Sequence, residues 1–251
     1  PEVSMELKDW NGRAVAAERS RSGFTAVHDF SDNLVSSPRG GALPPAMAGR
    51  LRASGSPPDF DDESMKRLSE RLGFYSDMQS LDHVDPMTWS VFGSLASADA
   101  SAKSAWTSEL YSRLGLSPGA SDPSEISLWS SIRSGVNGDP AISFDASVVT
   151  CDSAVFFEAS WLDGGDHPPP GGLTCRLGSL SEFVRSGGGT MRDRIVLVSL
   201  DLHKEPSLSP GRYGGVELRR MSWQYLISQD SHPFRGEINR YYDWKLSNLS
   251  S

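Results

Sequence analysis

Asp145 and Glu158 are the residues of this chain whose types and spacing suit the holding of a metal ion, with Ser160 two positions further on. They sit in the stretch 141–161, AISFDASVVTCDSAVFFEASW. Residues 148–151 and 154–157 are mostly β-branched, aromatic or otherwise apolar, and they flank Asp152 and Ser153, a pair suited to a turn. With that pair as the apex of a hairpin, Glu158 lies opposite Ser147 and Ser160 lies opposite Asp145. Side chains two apart on a strand share a face, so Asp145, Ser147, Glu158 and Ser160 project together. Two carboxylates on one face of adjacent strands can hold a hard divalent cation, Mg2+ or Mn2+, through oxygen. The competing reading is a hairpin with a solvated polar face.

The elements around the hairpin extend the pattern. A polar helical stretch (179–185) is followed by an apolar strand, RIVLVSL, at 194–200. After it comes VELRRMSWQYL at 216–226, a strand running into a Ser-Trp helix start. Upstream, DPMTWSVF at 85–92 reads as a helix, with Asp85 as its N-cap and Pro86 as its first residue. An acid opening a strand, a hairpin, then hydrophobics running into Glu-x-Lys form the core of the PD-(D/E)XK nucleases, and this chain resembles that superfamily over roughly residues 82–230. Asp145 corresponds to the first acid, and Val155, Phe156, Phe157, Glu158, Ala159, Ser160 and Trp161 to the second half-motif.

The resemblance implies an α/β fold: a mixed central sheet flanked by helices, with a restriction-endonuclease-like core. It also implies metal-dependent cleavage of phosphodiester bonds in DNA, in bacterial restriction or defence. Asp145, Glu158 and the backbone carbonyl of Ala159 would bind one or two Mg2+ or Mn2+ ions. DNA is the implied partner, and many enzymes of this fold form homodimers.

Where the family pattern has lysine, this chain has Ser160. A hydroxyl carries no positive charge and is a poor general base at neutral pH. Three explanations stand side by side: a migrated catalytic residue, a silent descendant that binds nucleic acid or a protein partner, or a change that abolishes activity. Lys204 and His203, at the end of the 194–200 strand, are candidates for the migrated residue. Asp139 is a second candidate for the first acid. Asp82, Asp85 and Glu109 are candidate helix acids, with capping or a solvated flank as the plainer roles. Asp163, Asp166 and His167, in a loop of glycines and prolines, read either as ligands or as solubilising loop residues.

Composition bounds the remainder. The chain has 251 residues, is 37% hydrophobic and has a formal net charge of −8. Such a field does not steer the chain to nucleic acid, although a local basic groove remains compatible with it. Two cysteines, Cys151 and Cys175, make neither a disulfide framework nor a zinc set, and Cys151 is expected to be small and buried. No run approaches the ~18 apolar residues of a membrane span, and nothing at the N-terminus resembles a secretory signal. A cytoplasmic protein without membrane contact is expected. Residues 1–59 read as an irregular arm rich in Ser, Pro, Gly and Arg, and 60–251 as a helical lead-in plus the nuclease-like domain. Arginines at 13, 19, 21, 39, 50 and 52 make the arm locally basic. Near the C-terminus Arg235, Arg240, Tyr241, Tyr242, Trp244 and Lys245 interleave cations and aromatics, suiting either stacked bases or a helix packed on the core.

Overall fold

The apolar run at 194–200 and the hairpin around residue 151 become neighbouring strands of one sheet in the computed structural model of the chain. It describes residues 3–20, 23–36, 43–55, 70, 72, 75–116, 124–132, 141–161, 172–187, 194–202 and 211–249. In chain order the strands are β1 (Val3–Lys8), β2 (Ala14–Arg19), β3 (Thr25–Val27), β4 (Glu125–Leu128), β5 (Ser131–Ile132), β6 (Ile142–Ser143), β7 (Ala146–Val149), β8 (Ser153–Ala159), β9 (Arg194–Asp201), β10 (Gly211–Tyr213) and β11 (Val216–Ser222). The helices are α1 (Pro45–Gly55), α2 (Asp85–Thr88), α3 (Ser94–Ala96), α4 (Ala100–Arg113), α5 (Gly172–Arg185), α6 (Trp223–Ile227) and α7 (Arg235–Ser247). The chain divides into two compact units, Pro1–Val91 with Gly236–Ser251, and Phe92–Arg235.

The first unit corrects the expectation of an irregular arm over 1–59. β1, β2 and β3 form an antiparallel sheet, and Leu7, Val15, Ala17 and Val27 pack from it around Leu81. Burial along β2 alternates over Ala14–Ala17, the period of a strand with one face in a core. The β1–β2 turn is closed by Asp9, whose carboxylate accepts the N–H groups of Asn11 and Arg13, both at 2.9 Å. Arg13 pairs with Asp9 at 2.6 Å, and Arg50 donates to Asp85, so these two arginines of the basic segment have intramolecular carboxylate partners. The aromatic and basic C-terminal segment is a helix packed on this unit rather than a stacking surface. Tyr241 and Lys245 are fully buried, the Tyr241 hydroxyl donates to the Asn33 carbonyl at 2.9 Å, and Lys245 Nζ donates to the Leu81 carbonyl.

The second unit is mixed α/β. Its six-stranded sheet has the order β10-β11-β9-β8-β7-β4. β4, β7 and β8 are antiparallel neighbours, β8, β9 and β11 are parallel, and β10 returns antiparallel at the edge. β8, α5 and β9 make a crossover between parallel strands, the connection that parallel pairing requires. One face carries Ala154, Phe156, Ile195, Leu197, Val216 and Leu218 under Leu177 and Leu180 of α5. The other carries Val155, Phe157, Val196 and Val198, all fully buried, with Phe92 tilted against Phe157 at 4.9 Å and Trp106 edge-on to Phe92 at 5.9 Å. β9 is covered on both faces, which is why its sequence is a continuous apolar run rather than an alternation.

The hairpin register differs from the sequence expectation. Thr150 N–H donates to the Ser153 carbonyl at 2.9 Å, so Cys151 and Asp152 form the two-residue loop, not Asp152 and Ser153. The cause is local hydrogen bonding: Thr150 Oγ1 contacts Asp152 Oδ1 at 2.8 Å and Ser153 Oγ at 2.7 Å, fixing Ser153 as the first residue of β8. Ala146 pairs with Phe157 and Ser147 with Phe156. Glu158 therefore stands opposite Asp145 rather than Ser147, and Ser160 falls beyond the β7–β8 ladder. Cys151, at the loop, is exposed rather than buried.

Candidate functional site

Asp145 sits in the bend just before β7, held on two sides. Its N–H donates to the Phe157 carbonyl at 3.1 Å and its carbonyl accepts Trp129 N–H at 2.9 Å. Its Oδ2 accepts Ala159 N–H at 2.8 Å, so the side chain leans over β8 at the position of Glu158. The two-residue displacement of the register leaves the parity of each position unchanged, so Asp145 and Glu158 share a face. Extending the row through the parallel pairs adds Ser199 of β9 and Arg220 of β11, and one step further along the strands the same face carries Asp201. The face that is apolar under α5 thus becomes polar at the C-terminal ends of its parallel strands, the edge where open α/β sheets carry ligand sites.

Arg176, one turn into α5, reaches down to Glu158, with Nε 2.6 Å from Oε2 and the two side chains only 16% and 17% exposed. Neither atom has a hydrogen-bond-aligned partner among the described residues, so the contact is an ion pair. Burial pushes Glu158 up to about 8, and the nearby Asp145 carboxylate adds to the rise, while the Arg176 charge opposes both. The 2.6 Å pairing and the raised value pull in opposite directions. The rise governs, because two carboxylates and one guanidinium leave excess negative charge in a poorly hydrated place.

Ser160 is exposed, and its hydroxyl lies 3.5 Å from the Leu200 carbonyl, while its own N–H donates to that carbonyl at 2.8 Å. Its carbonyl accepts Trp223 Nε1–H at 2.8 Å, and Trp161 and Trp223, both almost fully buried, form an edge contact at 6.2 Å. The indole bond therefore fixes the chain just past Glu158. Arg176 and Arg220 were not singled out from the sequence. Residue spacing within the hairpin is silent about a helix folding back over it, although the row position of Arg220 follows once strand pairing is known.

The remaining candidates have other occupations. Glu109 accepts Ser231 Oγ–H at 2.6 Å, Ser231 N–H at 3.0 Å, Asp230 N–H at 3.1 Å and Arg113 at 2.8 Å. Burial works to raise its carboxyl, but the hydrogen bonds from Ser231, Arg113 and Asp230 outweigh it and hold it at about 2. Asp82 accepts Thr25 N–H at 3.3 Å. Asp85 is not a side-chain cap, because Val84 is the N-cap residue and makes no such bond. Asp82 and Asp85 belong to the first unit, Asp145 and Glu158 to the second. Asp139, Asp163, Asp166, His167, His203 and Lys204 lie outside the described residues.

Asp77, His83 and Asp85 bring one ligand atom each within 4.8 Å of one another. Their arrangement is that of an ion-pair cluster. Arg50 NH2 donates to Asp85 Oδ1 at 2.9 Å and its Nε to Oδ2, and His83 Nδ1 already accepts Asp85 N–H at 3.2 Å. Asp85 is thereby neutralised and one imidazole lone pair is engaged.

No family model, curated protein or solved structure matches the chain. Among the described residues no helix is long and apolar enough to cross a membrane.

Proposed function

We propose that the second unit is a restriction-endonuclease-like domain that hydrolyses phosphodiester bonds in DNA with a divalent cation, in the restriction or defence setting that its motif resemblance implies. The observation that carries this reading is the pairing of Asp145 and Glu158 across the β7–β8 hairpin, at the polar C-terminal end of the parallel strands. The donor set fits the ion: two carboxylates of hard oxygen, one of them destabilised as an anion by burial and by its neighbour. Asp145, oriented by the Ala159 N–H bond to its Oδ2, and Glu158, now paired with Arg176, would hold the ion through their carboxylates. The Ala159 carbonyl would complete the set that the motif implies. When bound, Mg2+ or Mn2+ supplies a Lewis acid that lowers the pKa of water and takes up charge on the phosphoryl oxygens. Arg176 offsets negative charge at the acid pair, and the Trp223–Ser160 bond keeps the strand end in place.

A second reading is favoured by one observation. Ser160 occupies the lysine position with its hydroxyl near the Leu200 carbonyl, so no cation projects from that point of the strand. On this reading the domain binds nucleic acid or a protein partner without cleaving. Incubating supercoiled and linear duplex DNA with the full chain and Mg2+ or Mn2+ separates the two. Cleavage that disappears in Asp145→Asn and Glu158→Gln supports the nuclease. DNA retention without cleavage, in parent and variants alike, supports the silent domain.

A further inference from the structure

The polar row holds more positive charge than two metal-binding carboxylates require. Arg176 comes down from α5 onto Glu158, and Arg220 rises from β11 on the same face. Strands lie about 4.8 Å apart, so Arg220 starts roughly 10 Å from Glu158 across the sheet. Ser199, a small residue, holds the row position between them. Arginines beside an acid pair compete with a metal for the same carboxylates, so a site built for a cation alone gains nothing from them. The charge balance suggests their use. With Glu158 ionised, Asp145, Glu158 and Asp201 against Arg176 and Arg220 make the row one charge negative, and a divalent ion that displaces the Glu158 proton would turn it one charge positive. That is the complement of one phosphodiester group.

Resting on the proposal that Asp145 and Glu158 hold a cation, we infer that Arg176 and Arg220 form a phosphate clamp over the acid pair. Arg176 exchanges Glu158 for phosphate oxygens when the carboxylates take up the metal. The planar guanidinium suits this exchange because it offers the same paired N–H geometry to a carboxylate and to a phosphate. The positive charge that the family pattern places at position 160 is then delivered from the helix above and from the strand two places across.

The test uses the full chain, a fluorescent duplex DNA in Ca2+ across a salt series, and calorimetric titration with Mn2+. Arg176→Gln and Arg220→Gln are each expected to weaken DNA binding about tenfold and to lower the salt slope by about one, while Mn2+ affinity is kept or, for Arg176→Gln, increased. Arg176→Lys, which keeps the charge and guards against misfolding, is expected to recover the slope but not the full affinity. DNA binding and slope unchanged in both glutamine variants would overturn the clamp, as would a parent protein that does not bind DNA. Loss of Mn2+ binding in Asp145→Asn reports separately on the acid site. If that loss is seen while the arginine variants bind DNA normally, the acid pair stands and the clamp falls. If Mn2+ binding survives Asp145→Asn, the metal reading falls and the clamp with it.

Discussion

Ser160 is the residue at which the motif and the chemistry diverge. It keeps the parity of Glu158 and its N–H continues the pairing with β9, so a longer side chain there starts from the same face as the acid pair. Ser160→Lys is expected to raise Mg2+-dependent DNA cleavage on the order of a hundredfold, the scale of one electrostatic contributor to a transition state. The gain should vanish in the Ser160→Lys, Glu158→Gln double variant, and an unchanged or lower rate in Ser160→Lys would count against a vacant lysine position. Glu158 yields a second test. Folding raises its carboxyl from 4.5 to about 8, so between those values the folded state holds a proton that the unfolded chain has lost. Its contribution is therefore complete below about pH 4.5 and is lost as pH rises through 8. Urea unfolding of the metal-free protein should show falling stability across that window, and Glu158→Gln should flatten the profile; an identical slope in both would remove Glu158 as its source. That the two acids share a face was legible in the sequence because face parity survives a slip of two. Arg176 was not, because it reaches the site through the crossover rather than along the strand.

At the scale of elements, short-range patterns succeeded where one signal dominated. The apolar run at 194–200 became a buried strand. The hairpin loop was misplaced by one residue because Thr150, Asp152 and Ser153 can all stabilise a turn, and only the closed hydrogen-bond set selects Cys151 and Asp152. β1 and β2 were missed because alanines and charged residues weaken the strand signal. What stabilises them is packing around Leu81, far away in sequence. Glu109 shows the same dependence on distant partners, since a helical acid cannot be seen from sequence to pin the turn at Asp230 and Ser231. Glu109→Gln should destabilise the second unit by about 1–3 kcal/mol, as expected for losing hydrogen bonds to a charged acceptor. The carboxyl is held at about 2 against 4.5 when unfolded, so its contribution is present above pH 4.5 and is lost as pH falls toward 2. The difference between parent and variant should therefore shrink in acid; a difference independent of pH would assign the effect to packing.

Across the whole molecule, a net charge of −8 disfavours DNA, so any binding must be local and conditional. A divalent ion at Asp145 and Glu158, as proposed, would supply both conditions, making one row positive without changing the rest of the surface. Binding to the folded state alone stabilises it by mass action, about 2.7 kcal/mol when the ion is at a hundred times its dissociation constant. That stabilisation belongs first to the unit that holds the site. Hydrogen exchange with and without Mn2+ should therefore show slower exchange in β7, β8 and β9, with β1, β2 and β3 of the other unit much less affected, and Asp145→Asn should erase the difference. The first unit provides an internal control through Asp77, His83 and Asp85, whose ligand atoms are close but already engaged by Arg50 and by the Asp85 N–H. Protection centred on residues 77–85, or protection of β7 and β8 that persists in Asp145→Asn, would place the ion away from the hairpin and remove the physical basis for a nuclease site there.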